Sequence, residues 1–185
     1  MRAAATDRRI ERTRQALLGA FIALIFEGRR YDRIRIADVI ARAGVGRSTF
    51  YEHYPNKEAL LAETIRLPFA PLAAAVDADA PAAALAGALT HFRQNRVHGR
   101  AVFAGATGRR VTRILADMIE ERLRARARAN GIVAPAPIRT GAITLAEGQL
   151  AAIAAWLGED AANVEPLAAT LHRIAQAVAA ELCDR

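Results

Sequence analysis

One short stretch of this chain carries a run of side chains that can donate hydrogen bonds to nucleic acid. The run comprises Arg47, Ser48, Thr49 and Tyr51. The arginine fork matches the O6 and N7 acceptors of guanine, and a hydroxyl group can reach a base edge or a phosphate oxygen. None of these side chains would be chosen for a hydrophobic core. Their types and spacing therefore predict contacts with DNA.

Two short helices are predicted to position this run. The first carries an apolar face at i, i+3, i+4 and i+7, formed by Ile36, Val39, Ile40 and Ala43. Gly44 ends this helix, because glycine reaches the left-handed C-terminal cap without steric cost. Gly46 stands at the N-cap of a second helix that begins at Arg47, and Pro55 ends it. Two short helices around a tight glycine-containing turn predict a helix-turn-helix, whose second helix lies in the major groove.

The sequence of this region resembles the DNA-binding domain of the tetracycline-repressor (TetR) family. The resemblance extends from about Arg8 to Leu67, roughly a third of the chain. Its strongest segment covers residues 43–61 and reads AGVGRSTFYEHYPNKEALL. The family pattern in this segment is Ala-Gly-Val, three polar or small residues, an aromatic-Tyr pair, a further aromatic residue and then Lys-Glu-x-Leu-Leu. Agreement over so many positions is highly specific.

Three positions depart from the family pattern. Arg35 stands where a Thr or Ser usually caps the first helix of the motif, and Ile40 stands where a small Ala is commoner. Gly46 replaces the usual Ser. These departures leave the motif intact, but each can shift which bases the protein reads.

The resemblance implies a set of DNA-binding residues in this sequence. They are Arg35, Gly46, Arg47, Ser48, Thr49, Tyr51, His53 and Lys57. Arg47 is expected at a guanine edge, where its fork fits two acceptors. Tyr51, His53 and Lys57 match family positions that commonly touch the DNA backbone. Arg35 brings a charge in place of the capping hydroxyl and is expected to reach a phosphate group.

The charge of the chain agrees with an anionic partner. Its 185 residues include 26 basic and 19 acidic side chains, a formal net charge of +7. Residues 1–66 hold 13 basic and 8 acidic side chains, a net +5, and the remaining residues hold 13 and 11, a net +2. A basic balance alone leaves nucleic acid and membrane surface open. Its concentration around the motif favours double-stranded DNA.

The composition predicts an all-α fold, because alanine, leucine and arginine are frequent and no alternating strand pattern is evident. We expect an N-terminal three-helix helix-turn-helix head over residues 8–67. A C-terminal helical bundle for ligand binding and dimerisation is expected over residues 68–185. The single Cys183 excludes an internal disulfide framework and is consistent with a reducing cytosol. The charged N-terminus and the lack of a long apolar run predict a cytoplasmic protein without a membrane partner.

The helices outside the motif are less sharply marked. A short arm is predicted over residues 1–7, followed by a helix over about 8–27 with a buried stripe of Ile10, Leu17, Phe21, Leu24 and Ile25. Asn56 can cap a helix that runs to about residue 67, where Pro68 and Pro71 are expected to interrupt or kink the chain. Gly99, Gly105 and Gly108 surround a piece predicted to be irregular. The last two helices are predicted over about 138–157 and 163–182.

The resemblance also implies an apolar ligand pocket in the C-terminal region. Its candidate lining residues are Phe92, Phe103, Met118 and Trp156. Aromatic residues at helical spacing are more often ordinary core, and that interpretation stays open.

Two patterns point to helix packing near the C-terminus. Small residues on one side of a helix, namely Gly148, Ala152 and Ala155, permit a close approach of another helix. A 3-4 spacing typical of a helix bundle is formed by Leu167, Leu171, Ile174 and Val178. Packing within one subunit would explain both patterns. The resemblance implies instead an interface between two copies, and therefore a homodimer on a palindromic operator.

No catalytic, metal or cofactor site is predicted. His91 and His98 share a helix face but lack carboxylate or thiolate company, and no Ser-His-Asp or Cys-His grouping is suggested. The leading hypothesis is a sequence-specific transcriptional regulator, a repressor released from its operator by a small-molecule ligand. A non-specific architectural DNA-binding protein is one alternative, and it would need only a diffuse basic surface. A second alternative is an enzyme or a ligand-binding module, which the lack of a recognisable catalytic grouping of residues disfavours.

Overall fold

The computed structural model of the chain describes residues 2–103, 105–132, 137–159 and 163–184, with residues 2–7 and 98–101 described by their backbone alone. Within these ranges the chain is all-helical, which confirms the predicted fold class. One 3-10 turn, Tyr31–Arg33, follows the first helix. The α-helices of the described part are α1 (Arg2–Phe26), α2 (Ile36–Ala43), α3 (Arg47–His53), α4 (Lys57–Ala74), α5 (Ala82–Gln94), α6 (Arg96–Phe103), α7 (Gly105–Ala129), α8 (Ile138–Trp156) and α9 (Val164–Cys183).

The chain divides into two compact units, Met1–Ile65 and Arg66–Arg185. The N-terminal unit contains α1 to α3 and the first part of α4, and the C-terminal unit contains the rest of α4 and α5 to α9. The division lies two residues before the boundary between residues 67 and 68 that the sequence predicts.

Helix α1 provides much of the core of the N-terminal unit. Leu17, Phe21 and Leu24 are buried, and the edge of Phe21 meets the ring of Tyr31 at a centroid distance of 6.2 Å. Two predictions for this region are wrong. The helix already begins at Arg2, so no separate arm precedes it, since three successive alanines there favour helix. Ile10 is 43% exposed and so does not belong to the buried stripe.

Helix α4 continues through Pro68 and Pro71, so of the two outcomes predicted there, an interruption or a kink, the interruption does not occur. Each proline removes one N–H donor from the helix, leaving the carbonyls of Thr64 and Leu67 without their usual i+4 partner. The helix nevertheless continues, because its apolar face is anchored. That buried face comprises Ile65, Phe69, Leu72 and Ala73. Burial of such a face contributes more than two missing hydrogen bonds cost.

The segment around Gly99, Gly105 and Gly108 is helical rather than irregular. Helix α6 ends at Phe103, and α7 begins at Gly105 with a φ of 58°. A side chain at Gly108 would collide with the backbone carbonyl of Phe103. Gly105 therefore supplies the positive φ at which α7 begins, and Gly108 permits the close approach of the Phe103 backbone, while both lie within a helix.

Helix α7 forms the centre of the C-terminal unit and packs against α8, while α5 packs against α9. Its buried stripe includes Val111, Leu115, Ile119 and Leu123. Gly141 of α8 brings that helix close to α9, because a Cβ at this position would collide with the side chain of Leu182. Helices α8 and α9 agree with the two helices predicted for this region to within a residue or so at each end.

Side chains from three helices hold the carbonyl groups at the C-terminal end of α4. Gln149 of α8 donates to the carbonyl of Leu72 at 3.1 Å. Gln176 of α9 donates to the carbonyls of Ala75 and Asp77 at 2.8 and 2.6 Å. The Arg126 side chain of α7 donates to the carbonyl of Val76 and to Oε1 of Gln176, at 2.7 and 3.2 Å. These bonds satisfy carbonyls that a helix end leaves without partners.

Candidate nucleic-acid interface

The turn between α2 and α3 has the geometry that the sequence predicts. Gly44 lies in the left-handed region with a φ of 66°, and the N–H of Val45 donates to the carbonyl of Ile40 at 3.1 Å. Gly46 is extended at the N-cap of α3, and its carbonyl accepts from the N–H of Phe50 at 3.1 Å. Both glycines therefore occupy the backbone roles assigned to them.

Helix α3 separates a buried side from an exposed one. Phe50 is fully buried, as is Val39 of α2, and Tyr54 lies buried just beyond the helix end. The predicted DNA-binding side chains lie on the other side. Gly46, Arg47, Ser48 and Tyr51 are exposed, and Thr49 and His53 are half-buried. The packing of two aromatic residues against the N-terminal core thus fixes which face of α3 meets solvent.

Arg47 and Tyr51 form one local pair on the exposed face. The guanidinium carbon of Arg47 lies 5.8 Å from the ring centroid of Tyr51, one helical turn further on. Tyr51 is 45% exposed, and its ring meets the edge of Phe50 at a centroid distance of 5.3 Å. A cation near an aromatic face is weakly attracted to it, so Tyr51 favours one direction of the arginine side chain.

Arg35 replaces the usual capping residue of α2, and an acidic partner completes the cap. Oδ2 of Asp38 accepts from the backbone N–H of Arg35 at 2.9 Å. The Arg35 guanidinium, itself 78% exposed, also reaches Asp38, at 3.3 Å, and Arg29 reaches it at 3.0 Å. Arginine has no acceptor atom, so only the carboxylate half of a capping box exists here. The Arg35 charge that was expected at a phosphate group is engaged by Asp38.

These bonds hold the pKa of Asp38 well below its usual value, at about 2. The backbone N–H of Arg35 is the largest cause, followed by the hydrogen bonds of its side chain and the charge of Arg29. A carboxyl group with a lowered pKa adds stability above the pKa of about 3.9 that it has when unfolded. That stability is lost as the pH falls towards 2.

We therefore expect the melting temperature of the chain to exceed that of Asp38→Asn at pH 6, with the difference shrinking between about pH 4 and pH 2. Asparagine keeps an acceptor for the Arg35 N–H but carries no charge, so the comparison isolates the ionised form. Thermal melts monitored by circular dichroism at several pH values measure the difference. A gap that stays constant, or widens on acidification, would contradict this account.

Lys57 does not extend into solvent from the start of α4. Its Nζ donates to the backbone carbonyls of Tyr31 and Ile34, at 2.9 and 2.7 Å. The same nitrogen lies 4.1 Å from the ring centroid of Tyr31. The side chain thereby joins α4 to the 3-10 turn that precedes α2. Asn56 caps α4 as predicted, since its Oδ1 accepts from the N–H of Ala59 at 2.8 Å.

Several basic side chains of the N-terminal unit are engaged by acidic ones. Arg14 of α1 pairs with Glu63 of α4 at 2.5 Å, and Arg42 pairs with Glu27 at 2.5 Å. Tyr54 lies beside the first pair, and burial, followed by the Glu63 charge, raises its pKa to about 12. These pairs could not be predicted from the sequence, because the partners lie far apart along the chain. The Arg14 pair joins α1 to α4.

The predicted ligand residues fall into two groups. Phe92 of α5 and Phe103 of α6 meet edge to face at a centroid distance of 5.8 Å. Trp156 is buried at the end of α8, where its Nε1 donates to the carbonyl of Asn163 at 3.2 Å and Arg93 lies over its ring. Met118 is half-buried on α7. The structure thus brings the two phenylalanines together, whereas Trp156 contacts Asn163 and Arg93 instead.

The predicted interface residues also differ in exposure within the single chain. Gly148 and Ala155 are exposed, Ala152 is half-buried, and the space beside Gly148 is open. On α9, Leu171 is buried in the core of its own unit, and Ile174 is 50% exposed. Leu167 and Val178, the other two residues of the 3-4 pattern on α9, are half-buried.

Two absences hold for the described part of the chain. No group of three or more His, Cys, Asp or Glu side chains in it is placed to hold a metal ion. The side chain of His98, one of the histidines weighed above, lies outside the described residues. Among the helices described here, none is both long and apolar enough to cross a membrane.

Comparisons with known proteins agree with this geometry. The sequence profile of the family described as "Bacterial regulatory proteins, tetR family" matches residues 25–64. The uncharacterized HTH-type transcriptional regulator YxbF of Bacillus subtilis (strain 168) is 45% identical over 60 residues, which are 32% of this chain and 16% of that protein. The crystal structure of a TetR transcriptional regulator from Streptococcus agalactiae 2603V is 29% identical, with a TM-score of 0.58, and the match covers 94% of this chain and 98% of that chain.

The all-helical fold and the glycine-punctuated pair α2–α3 define a helix-turn-helix protein with a helical C-terminal unit. The profile match identifies residues 25–64 as a helix-turn-helix of the tetR family of bacterial regulatory proteins, and nearly the whole chain resembles the Streptococcus agalactiae regulator.

Proposed function

We propose that this chain is a sequence-specific, DNA-binding transcriptional regulator, a repressor that a small-molecule ligand releases from a palindromic operator. The observation that carries the proposal is the exposed row of donors on α3. Arg47, Ser48 and Tyr51 face solvent at the start of a helix whose opposite side is held by buried Phe50. Recognition helices read base edges with the residues of their first turn.

A non-specific architectural role is less well supported by the same surface. Such a protein would bind through a diffuse excess of basic charge. In the N-terminal unit, however, Arg14, Arg29 and Arg42 are each engaged by an acidic side chain of the same unit. Hydrogen-bond donors that can read sequence are concentrated on α3 instead.

Selection from a random pool of duplexes tests the proposal directly. We expect the purified chain to enrich a palindrome whose half-site centres lie roughly one helical turn, ~34–36 Å, or a multiple of it apart. Competition with random duplex at fixed salt then measures the specificity ratio. A pool that remains random after repeated selection, despite measurable binding, would support the architectural alternative instead.

A two-fold symmetric operator requires a two-fold symmetric protein, so we propose a homodimer formed through α8 and α9. The predicted interface residues offer exposed small and apolar surface there. Gly148 leaves open space for an approaching helix, and Ile174 presents half of its side chain. Leu171, in contrast, is already buried within its own subunit.

Replacing Ile174 by alanine is expected to weaken the dimer by about 2 kcal/mol, because each of two copies loses about 1 kcal/mol of remaining apolar burial. Analytical ultracentrifugation measures the dissociation constant of the dimer. Val97→Ala, which also truncates an exposed apolar side chain but on α6, is the control and should leave association unchanged. Equal dissociation constants for wild type and Ile174→Ala would place the interface elsewhere.

Ligand control is the second part of the proposal. An effector switches DNA affinity only if it prefers one arrangement of the protein over another, and the coupling is typically about 1–3 kcal/mol. We place the response in α4, whose C-terminal carbonyls are held by α7, α8 and α9. A bound effector that stabilises the chain but leaves operator affinity unchanged would rule out this form of control.

A further inference from the structure

One buried side-chain amide of the C-terminal unit forms a hydrogen bond through its nitrogen but not through its oxygen. Gln149 is 2% exposed. Its Nε2 donates to the carbonyl of Leu72 at 3.1 Å, and its Oε1 has no hydrogen-bond partner among the described residues. The Leu72 carbonyl can only accept, so it fixes which end of the amide faces it. The oxygen is therefore a buried acceptor that costs free energy until a donor meets it.

The helix to which Gln149 donates also carries one ring of an aromatic cluster. Leu72, which Gln149 contacts, follows Phe69 by one turn on the buried face of α4. The ring of Phe69 lies 4.9 Å from that of Phe92 and 6.0 Å from that of Phe103, measured between centroids. Phe92 and Phe103 also meet edge to face, so three helices contribute one ring each.

The described core offers no charge to complement an ionised ligand. Among the described residues, Thr112 is the other buried polar side chain, and its hydroxyl already donates to the carbonyl of Gly108 at 3.0 Å. A charged ligand would lose its hydration without gaining a partner. A neutral aromatic ligand would instead stack on the phenylalanine rings, and a hydroxyl or N–H group on it would supply the missing donor.

We propose that Gln149 and the three phenylalanines Phe69, Phe92 and Phe103 bind a neutral aromatic molecule that carries a hydroxyl or N–H donor, with Oε1 of Gln149 as its acceptor. This inference rests on the proposed ligand control and gives the chemical class of the effector. The same amide that accepts from the ligand donates to Leu72 of α4. A ligand that draws this amide towards itself acts directly on one of the hydrogen bonds that hold the C-terminal end of α4.

Phenol and toluene are suitable probes, because they are similar in size and differ in one hydroxyl donor. We expect phenol to bind the full-length chain about tenfold more tightly than toluene, as measured by calorimetry, since only phenol can satisfy the buried acceptor. The side-chain amide resonances of Gln149 in a 15N-labelled sample should shift with phenol and not with toluene. Equal binding of the two probes, tighter binding of toluene, or binding of neither would overturn the assignment.

A pair of variants separates the acceptor from a general loss of structure. Gln149→Met keeps the length of the side chain without the amide, and the preference for phenol should disappear. Gln176→Met removes an amide from the same end of α4, but one whose oxygen already accepts from Arg126, so the preference should persist. Preference for phenol that survives in Gln149→Met would refute the role of Oε1. If Gln149→Met fails to fold, the amide shifts in the wild-type chain decide the question.

Operator binding, measured separately, distinguishes this inference from the function on which it rests. If the chain prefers phenol but does not discriminate between DNA sequences, the ligand site is supported and the proposed regulatory function is refuted. If the chain selects a palindrome but does not distinguish phenol from toluene, sequence-specific DNA binding is supported and the proposed ligand site is refuted.

Discussion

Arg47→Ala is expected to weaken binding to the selected operator by about 2–6 kcal/mol, while binding to random duplex changes much less. Removing a bidentate interaction with guanine costs about 1–3 kcal/mol, and the proposed dimer would make one in each half-site. The physical reason lies in the position of the side chain. Arg47 opens α3, is exposed, and is directed by the ring of Tyr51 at 5.8 Å. Fluorescence anisotropy with both duplexes at several salt concentrations gives the two affinities.

Arg47→Lys is the matched control for this experiment. Lysine keeps the positive charge but lacks the planar fork, so it can hold a phosphate and cannot match two guanine acceptors equally well. We expect Arg47→Lys to lose most of the specificity and to keep most of the affinity for random duplex. If Arg47→Ala weakens both duplexes equally, and Arg47→Lys restores both, then Arg47 binds phosphate. Base readout would in that case rest on Ser48, Thr49 or Tyr51.

Tyr51 offers a further check on the same interaction. Its ring is supported by Phe50 and lies near the arginine, so Tyr51→Phe should preserve the direction of Arg47 while removing one hydroxyl donor. A loss of affinity that is equal for all sequences would assign that hydroxyl to the DNA backbone, the role implied by the family resemblance.

The helix-turn-helix could be predicted from the sequence, because the signals that define it are local. The i, i+3, i+4 spacing of α2 and the glycines around α3 act within a few residues of themselves. The same local signals fail at Pro68 and Pro71. There the residues predict an interruption or a kink, but packing of the apolar face of α4 within the C-terminal unit keeps the helix continuous. Burial of the apolar face of α4 thus outweighs the local tendency of proline to end a helix.

Long-range polar contacts could not be predicted in the same way. Gln149 lies within a buried stripe of α8, and a glutamine in an otherwise apolar stripe could have been noticed as unusual. Its partner, the carbonyl of Leu72, is 77 residues away and carries no sequence signal at all. Backbone carbonyls are present at every residue, so only the folded structure shows which of them a side chain reaches.

Lys57 illustrates the same limit with a different consequence. The family resemblance places it at the DNA backbone. If Lys57 neutralises a phosphate group, its removal should make DNA affinity less sensitive to salt. The slope of log affinity against log salt concentration should then become shallower by about 0.9 for each phosphate group no longer neutralised. The structure places its ammonium on the carbonyls of Tyr31 and Ile34. A lysine so engaged acts first on the fold, because it fixes the turn from which α2 begins.

We therefore expect Lys57→Met to lower the free energy of unfolding by about 2–4 kcal/mol, since two charge-assisted hydrogen bonds are removed and two partly buried carbonyls remain. Methionine retains the apolar part of the stem, so packing changes little. Urea denaturation measures the stability, and the slope of operator affinity against salt concentration measures phosphate binding. At temperatures where the variant stays folded, the slope should match that of the wild type. A flattened slope with unchanged stability would show instead that Lys57 leaves the two carbonyls and binds phosphate when DNA is present.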